Sequence, residues 1–368
     1  MPSTLPKPDL IAARAEARRA FLGRAGWRQA AATPLAGDAS TRSYERLDLD
    51  GRKAILMNAP PAAESAPCPP DATPDERRRL GYNAMARLAG PNLNAFLAVA
   101  DTARAAGLST PEIYAADPAS GFALIEDLGD DLYARAIPAG ADETDLYETA
   151  IDALVALRAA APAPPKTAGY QMLAYDETAM EAEVMLVPDW YFPHLKGAAA
   201  SDDLKADYLA AWRPVLAKLS APSMMVLRDY HAENLLWLPG RAGYRRAGII
   251  DFQDGLYGNP AYDLVSLLED ARRDVSADLA AAMISRYAKG AAALPGFDEA
   301  AFRRDYAILG AQRNAKILGI FARLIHRDRK PRYADFFPRV EAHFRGDLAH
   351  QDLAPVARFF TRHFGEKF

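Results

Sequence analysis

Residues 226–263 read VLRDYHAENLLWLPGRAGYRRAGIIDFQDGLYGNPAYD, and this stretch decides how the rest of the chain is interpreted. It contains two short apolar runs joined by a turn rich in glycine and arginine at residues 239–246. Two such runs around a glycine-containing turn predict a β-hairpin. Asp229 and Asn234 precede the first strand of this hairpin and Asp251 follows the second, so we expect the three side chains to converge at one end of it.

This set of side chains matches the needs of phosphoryl transfer from a magnesium–nucleotide complex. One aspartate can accept the proton of an acceptor hydroxyl, while an asparagine oxygen and a second carboxylate are hard ligands that suit Mg²⁺. Protein kinases carry these groups as H-R-D-x-x-x-x-N followed by D-F-G. Asp229 and Asn234 keep the spacing of that motif, and Asp251 with Phe252 begins the second element. We therefore interpret Asp229 as the catalytic base and Asn234 and Asp251 as metal ligands.

At these residues the chain resembles the aminoglycoside phosphotransferase family of small-molecule kinases, whose fold is protein-kinase-like. Within that family it looks like the anomeric N-acetylmuramate/N-acetylglucosamine kinases, a similarity carried by LRDYHAENLLWLP, GIIDFQD, GNPAYDLVSLLEDARRDV and QRNAKILGIFARL. The resemblance covers roughly residues 35–360. It implies an α+β fold of two lobes, a small N-terminal lobe with an antiparallel sheet and a larger, mainly helical C-terminal lobe. It also implies ATP and Mg²⁺ as cofactors, and a sugar 1-phosphate as the product, formed in peptidoglycan recycling.

The two lobes are predicted at residues 1–127, for nucleotide binding, and 128–368, for catalysis and substrate binding. Residues 9–24 place apolar side chains near helical spacing and predict a leading helix. Strand-like segments follow on both sides of Gly51, which comes after Asp50 and suits a hairpin turn. Such a hairpin is the element with which a kinase-like lobe covers phosphates.

Four residues are expected to bind the nucleotide. Ser40 and Arg42 lie in the small and polar loop 35–44, whose backbone amides can cover phosphates. Glu126 and Leu128 lie where the resemblance places the hinge between the lobes, so the adenine is expected at their backbone.

The strand that carries a phosphate-binding lysine in protein kinases departs from that pattern. Its counterpart KAILMNA offers only Lys53, at its start. Arg42, in the preceding loop, could replace that charge.

The acceptor contacts are predicted from side-chain chemistry. Glu183 and Trp190 belong to a helix and an aromatic cluster before the motif; an aromatic ring can stack on a sugar while a carboxylate accepts its hydroxyl protons. His231 and Glu233 lie inside the polar loop 228–234, which we call the candidate catalytic loop, and could face the sugar. Arg313 could pair with an anionic group such as the lactyl carboxylate of N-acetylmuramate. Each of these residues also has an ordinary interpretation as a core or surface residue.

The composition is that of an ordinary globular protein. Its 368 residues are 50% hydrophobic and 25% charged, and the net charge of −4 argues against a general nucleic-acid-binding surface. One cysteine, Cys68, excludes an intramolecular disulfide and fits a reducing cytosol. No uncharged apolar run approaches the ~20 residues that a membrane helix needs. We expect a cytoplasmic monomer that binds a small-molecule sugar and neither nucleic acid nor a membrane.

Other enzyme classes lack their motifs, but two alternatives stay open. The sequence contains no H-E-x-x-H, G-x-S-x-G, Walker A or G-x-G-x-x-G pattern. The same chemistry could act on an aminoglycoside, choline or homoserine; an acidic acceptor pocket would favour a cationic antibiotic and a neutral or partly basic one an acetamido sugar. The second alternative is a kinase-like module that binds without catalysis. The absent strand lysine favours it, whereas the three retained motif residues oppose it.

Overall fold

One antiparallel sheet forms the centre of the N-terminal part of the chain. The computed structural model describes residues 8–35, 42–61 and 68–368. Within these ranges the strands of this sheet are β1 Ala31–Pro34, β2 Ser43–Leu49, β3 Arg52–Asn58, β4 Ile113–Asp117 and β5 Phe122–Ile125. They pair in the order β1-β2-β3-β5-β4. The predicted hairpin is formed by β2 and β3, and it turns at Asp50 and Gly51, whose φ angles are 54° and 83°. Aspartate followed by glycine suits such a turn because both tolerate positive φ.

The two faces of this sheet contact different partners. Helix α1, Pro8–Arg24, confirms the predicted leading helix and covers one face, where the rings of Phe21 and Phe122 stack with their centroids 5.6 Å apart. Ile55 and Met57 of β3 point to the other face and join the main hydrophobic core. This division follows from the alternation of side chains along a strand.

A helical connection leads from β3 to β4 and is fixed to the C-terminal part. It comprises α2 Pro74–Leu80, α3 Tyr82–Met85 and α4 Leu93–Ala105. Arg77 in α2 is only 1% exposed, and its Nη1 lies 2.6 Å from Oδ2 of Asp176. A buried arginine needs such a partner, so this ion pair holds the connection against the helical layer.

The C-terminal part is mainly helical and is organised around one long helix. Its helices are α5 Tyr133–Ala136, α6 Glu143–Ala160, α7 Glu177–Val184, α8 Phe192–Lys196, α9 Asp202–Leu216, α10 Ala261–Leu268, α11 Ala277–Ala291, α12 Glu299–His326, α13 Phe337–Leu348 and α14 Ala354–Phe364. A short hairpin of β6 Lys166–Thr167 and β7 Tyr170–Gln171 lies between α6 and α7. The 28-residue helix α12 packs against α7, α10 and α13, and its middle turns are buried.

Two small antiparallel strand pairs position the motif residues. The pair β8 Met224–Val226 and β11 Leu256–Gly258 flanks the pair β9 Leu235–Trp237 and β10 Ala247–Ile249 in the sequence. The pairing of β9 with β10 confirms the predicted hairpin, with Leu235 opposite Ile249. This register brings Asp251 to the end of the hairpin at which Asn234 lies.

The architecture confirms the predicted α+β class, a small antiparallel-sheet part followed by a larger helical part. The boundary between residues 127 and 128 stays a prediction. No helix in the described ranges is both long enough and apolar enough to cross a bilayer.

Candidate active site

The candidate catalytic loop is held in a strained backbone conformation. Arg228 has a φ of 67°, in the left-handed region that few residues other than glycine adopt. Asp263, in the first turn of α10, accepts hydrogen bonds from the N–H of Leu227 (2.7 Å) and of Arg228 (2.9 Å). Burial raises the pKa of Asp263 to about 7, and the two N–H donors oppose that rise. The helix α10 therefore fixes the backbone just before Asp229.

Asp229, Asp251 and Asp254 lie close enough to repel one another, and we call them the aspartate cluster. Asp251 also has a left-handed φ, 59°, and its Oδ1 accepts a hydrogen bond from Nε2 of Gln253 at 2.8 Å. Its side chain is 47% exposed, yet the surrounding protein and the negative charges of Asp229 and Asp254 raise its pKa to about 6. Asp254 accepts the N–H of Ala89 at 2.6 Å. Within the part of the chain that the structure describes, the carboxylate of Asp229 has no hydrogen-bond partner.

Asn234 links the two ends of the cluster. Its Nδ2 donates to the backbone carbonyl of Asp229 at 3.0 Å, and the backbone carbonyl of Asn234 accepts a hydrogen bond from the N–H of Ile250 at 3.0 Å. No described residue donates to its side-chain oxygen. The structure therefore brings Asp229, Asn234 and Asp251 together, as the sequence predicted, with carboxylate and amide oxygens left for a further ligand.

The guanidinium of Arg42 lies beside the aspartate cluster. Nη1 of Arg42 lies 3.8 Å from Oδ1 of Asp251, and its Nη2 donates to the carbonyl of Gly90 at 3.1 Å. Lys53 lies at the exposed start of β3. The structure thus places Arg42, and not the strand lysine of protein kinases, at the aspartate cluster. Ser40 lies outside the described residues.

The expected hinge residues follow β5. The N–H of Glu126 donates to the carbonyl of Glu112 at 2.8 Å, and its carboxylate pairs with Arg241. The N–H and the carboxylate of Glu126 therefore have protein partners, but none of the described residues donates to its backbone carbonyl, so a contact of that carbonyl with the adenine stays a prediction. The N–H of Leu128 forms no hydrogen bond with the described residues, so Leu128 keeps a backbone donor at the hinge.

Glu183 is buried behind the candidate catalytic loop, in what we call the buried ion cluster of Glu183, Arg228 and Lys316. Glu183 is 0% exposed; it pairs with Arg228, and with Lys316 at 3.1 Å. It also accepts hydrogen bonds from the hydroxyl of Tyr175 and from Nε2 of Gln312. Burial alone would raise its pKa, but Lys316 and Arg228 hold it below its ordinary value. The prediction that Glu183 binds the sugar is contradicted, because its carboxylate is closed off by protein partners.

Arg228 connects this buried ion cluster to its surroundings. Its Nη1 donates to the carbonyls of Ala86 and Asp254, both at 3.3 Å. Sequence reasoning missed Lys316, which is one of many arginine and lysine residues in the segment 313–332. A usable signal was its spacing of four from Gln312, which places both on one helix face.

His231 and Arg313 are also buried. His231 is 6% exposed, and its Nε2 lies 3.3 Å from Nδ2 of Asn234. Burial lowers its pKa to about 4, so the imidazole is neutral near pH 7 and can accept from that amide. Arg313 is 5% exposed and donates to the carbonyl of Glu269 at 3.2 Å. The predicted sugar contact of Arg313 is contradicted by this placement inside the helical layer; His231 supports Asn234 instead.

Trp190 and Glu233 keep accessible surface. Glu233 is 46% exposed, and its Oε2 lies 3.0 Å from Nε of Arg272. Trp190 lines a cavity of about 380 Å³ together with Tyr82 and Arg323. Neither the aspartate cluster nor the residues hydrogen-bonded to it, Gln253 and Ala89, line that cavity, so the position of Trp190 gives no support to its predicted sugar contact.

Several known proteins are similar to this chain. An N-acetylmuramate/N-acetylglucosamine kinase of Caulobacter vibrioides is 46% identical over 360 residues, which cover 96% of this chain and 98% of that protein. A protein of the same name from Pseudomonas aeruginosa is 33% identical over 317 residues, 83% of this chain and 80% of that protein. Among solved structures, an ADP-bound aminoglycoside phosphotransferase has a TM-score of 0.53 at 13% identity, covering 94% of this chain and 99% of that one. This last likeness confirms the predicted kinase-like fold.

The family assignment follows from the length of the match. The sequence pattern of the phosphotransferase enzyme family matches residues 31–303, which include the candidate catalytic loop and the aspartate cluster. This range is most of the chain, and the protein from Caulobacter vibrioides is similar over nearly its whole length. The chain belongs to the phosphotransferase enzyme family.

Proposed function

We propose that this enzyme is an ATP-dependent amino-sugar kinase that phosphorylates the anomeric hydroxyl of N-acetylmuramate and N-acetylglucosamine. The product is then a sugar 1-phosphate, as peptidoglycan recycling requires. The observation that carries the proposal is the convergence of Asp229, Asn234 and Asp251 at one end of the β9–β10 hairpin. The choice of acceptor is supported by the names of the relatives from Caulobacter vibrioides and Pseudomonas aeruginosa.

The residues at the aspartate cluster fit Mg²⁺. The pKa of Asp251 is raised by burial and by its negative neighbours, so a divalent cation would relieve the repulsion. We assign Asp251 and the side-chain oxygen of Asn234 as its protein ligands. Mg²⁺ commonly takes one or two carboxylates and fills its other positions with phosphate oxygens and water, which suits this small donor set. When bound, the ion neutralises charge that develops on the transferred phosphoryl group.

Asp229 is assigned as the base that accepts the proton of the acceptor hydroxyl. Its carboxylate has no hydrogen-bond partner in the described ranges, so it can meet an incoming hydroxyl. Its position is fixed through the backbone, by Asp263 on one side and by Asn234 on the other. Since phosphoryl transfer asks for little covalent chemistry from the protein, this positioning is its main contribution.

The nucleotide contacts that we assign are the side chain of Arg42 and the backbone of Leu128. Arg42 lies beside Asp251, where a cation can hold the phosphates that meet the metal. The N–H of Leu128 is the hinge donor left for the base. The role of Ser40, a cytoplasmic location and a monomeric state stay predictions from the sequence.

The experiment that tests this proposal is phosphorus NMR of the product. The purified protein is incubated with magnesium–ATP and either N-acetylmuramate or N-acetylglucosamine, with kanamycin, choline and homoserine as competing acceptors. We expect a phosphate signal coupled to the anomeric proton for both sugars. A product from another acceptor alone would replace the proposed substrate, and the absence of any ATP turnover would favour the non-catalytic alternative.

A further inference from the structure

A cavity of about 360 Å³ adjoins the aspartate cluster. Gln253 and Gly255 line one side of it, and the β6–β7 hairpin with its turn, residues 166–171, lines another. Gln253 is the residue whose Nε2 donates to Oδ1 of Asp251 at 2.8 Å, so the cavity lies directly beside a proposed metal ligand. Its volume falls within the range of small-molecule sites.

The polar groups that line this cavity are neutral or cationic. Hydroxyl and amide groups come from Asn92, Thr167, Tyr170 and Gln171, and positive charges from Arg87 and Lys166. Within the described ranges no carboxylate lines it. Among the described residues that line the cavity, a polycationic aminoglycoside would find no counter-charge, whereas an acetamido sugar, neutral or anionic, would find donors and acceptors.

Two residues that line this cavity, Gln253 and Arg87, each have a buried polar atom without a partner among the described residues. Gln253 is 3% exposed, and its Oε1 has no hydrogen-bond donor. Nε of Arg87 is also buried and unpaired, although its other nitrogens bind the carbonyl of Ala174 at 2.7 Å and Asp176 at 2.8 Å. Because buried polar atoms are rarely left unsatisfied, such a pair indicates a site for a ligand.

We infer that this cavity holds the acceptor sugar and that Lys166 pairs with the carboxylate of an anionic acetamido sugar acid. The inference rests on the proposed function, and it gives Lys166 the role that the sequence had suggested for Arg313. Lys166 is exposed on β6 at the cavity and has no ion pair with any described residue. It therefore distinguishes N-acetylmuramate, which has a carboxylate, from N-acetylglucosamine, which has none.

The test compares both sugars with three forms of the enzyme: wild type, Lys166→Gln and Lys166→Glu. An exposed ion pair is worth only a few-fold in affinity, so we expect the KM for N-acetylmuramate to rise about threefold in Lys166→Gln. Charge reversal in Lys166→Glu is expected to raise it roughly tenfold, and added salt is expected to reduce both effects. The KM for N-acetylglucosamine and the KM for ATP are expected to stay within about twofold of wild type.

The matched control is Lys289→Gln, which removes an exposed lysine from α11. We expect it to leave both sugar constants unchanged. Unchanged N-acetylmuramate constants in both Lys166 variants, or equal rises for the two sugars, would overturn the inference. If wild-type enzyme phosphorylates neither sugar, the proposed function itself has failed, and that outcome is seen before any variant is made.

Discussion

Arg228 and Asp229 are neighbours in the chain, but their side chains enter opposite electrostatic environments. Arg228 reaches the buried ion cluster, where Glu183 is closed off from solvent and paired with two cations. Asp229 belongs to the aspartate cluster, whose negative charges repel one another beside the cation of Arg42. The left-handed backbone at Arg228 separates these two directions.

The contrast shows how one loop can be both rigid and reactive. In the buried ion cluster, each charged group meets an opposite charge or a hydrogen-bond partner, so the cluster holds the loop in place. In the aspartate cluster, the carboxylates repel one another, and a cationic ligand can relieve that repulsion. Local energetic conflicts of this kind are typical of functional sites in otherwise consistent structures.

The largest effect is expected from Asp229→Asn, which changes the reactive side of the loop. The amide keeps the shape of the side chain but cannot accept the acceptor proton, so kcat is expected to fall by about a thousandfold. The melting temperature and nucleotide affinity are expected to stay close to wild type, because the carboxylate contributes no hydrogen bond to the described fold. Steady-state kinetics, calorimetric nucleotide titration and thermal melting measure the three quantities. A variant that turns over like wild type would refute the assignment of the base.

The next largest effect is expected from Glu183→Gln, on the closed side of the loop. This change leaves Arg228 and Lys316 buried without their shared counter-charge, and the free energy of unfolding is expected to fall by about 3 kcal/mol. The matched control is Glu181→Gln on the same helix, because Glu181 pairs with Arg213 at the surface, 2.7 Å apart. We expect the control to cost less than about 1 kcal/mol. Thermal melting measures both, and equal losses would show that the buried ion cluster does not stabilise the loop.

Part of the candidate site could be predicted from the sequence. Local sequence determines the candidate catalytic loop and the β9–β10 hairpin. It also determines where Asp229, Asn234 and Asp251 lie relative to that hairpin. A pattern of strands, turn and spacing was therefore enough to bring them together. Arg42 was proposed only as a replacement for the missing strand lysine; the structure places it 3.8 Å from Asp251, and its contact with the nucleotide stays a prediction.

The burial of Glu183 and Arg313 could not be predicted in the same way. A carboxylate on a helix looks the same in sequence whether it faces solvent or the core. Whether such a carboxylate is buried depends on its partners. The partners of Glu183 lie on the candidate catalytic loop and on α12, far from Glu183 in the sequence. Only the packing of α12 against α7 brings them together.

A smaller effect concerns metal binding to the aspartate cluster. Because the pKa of Asp251 is raised to about 6, its carboxylate is ionised above that pH and takes up a proton below it. A metal ion competes with that proton, so affinity is expected to weaken about fourfold between pH 8 and pH 5.5. Titration of the nucleotide-free protein with Mn²⁺, followed by electron paramagnetic resonance, measures this change. Affinity that does not vary with pH would contradict the assignment of Asp251 as a ligand.

The smallest effect is a gain in stability when the aspartate cluster is relieved. Asp251→Asn removes one of the repelling charges while its oxygen can still accept from Gln253. Since the side chain is 47% exposed, solvent screens most of the repulsion, and the melting temperature of metal-free protein is expected to rise by only about 1 °C. Turnover is expected to be lost in the same variant.

The pH dependence of that gain separates it from a general packing effect. An acid whose pKa is raised in the folded state destabilises the fold when it is ionised. The penalty in wild type is therefore absent below the ordinary aspartate pKa, near 4, and complete above about pH 6. We expect Asp251→Asn to melt above wild type at pH 7.5, and to lose that advantage at pH 4 as the wild-type carboxylate takes up its proton. A gain that is the same at both values would come from packing, and the repulsion that distinguishes the two sides of the catalytic loop would then be absent.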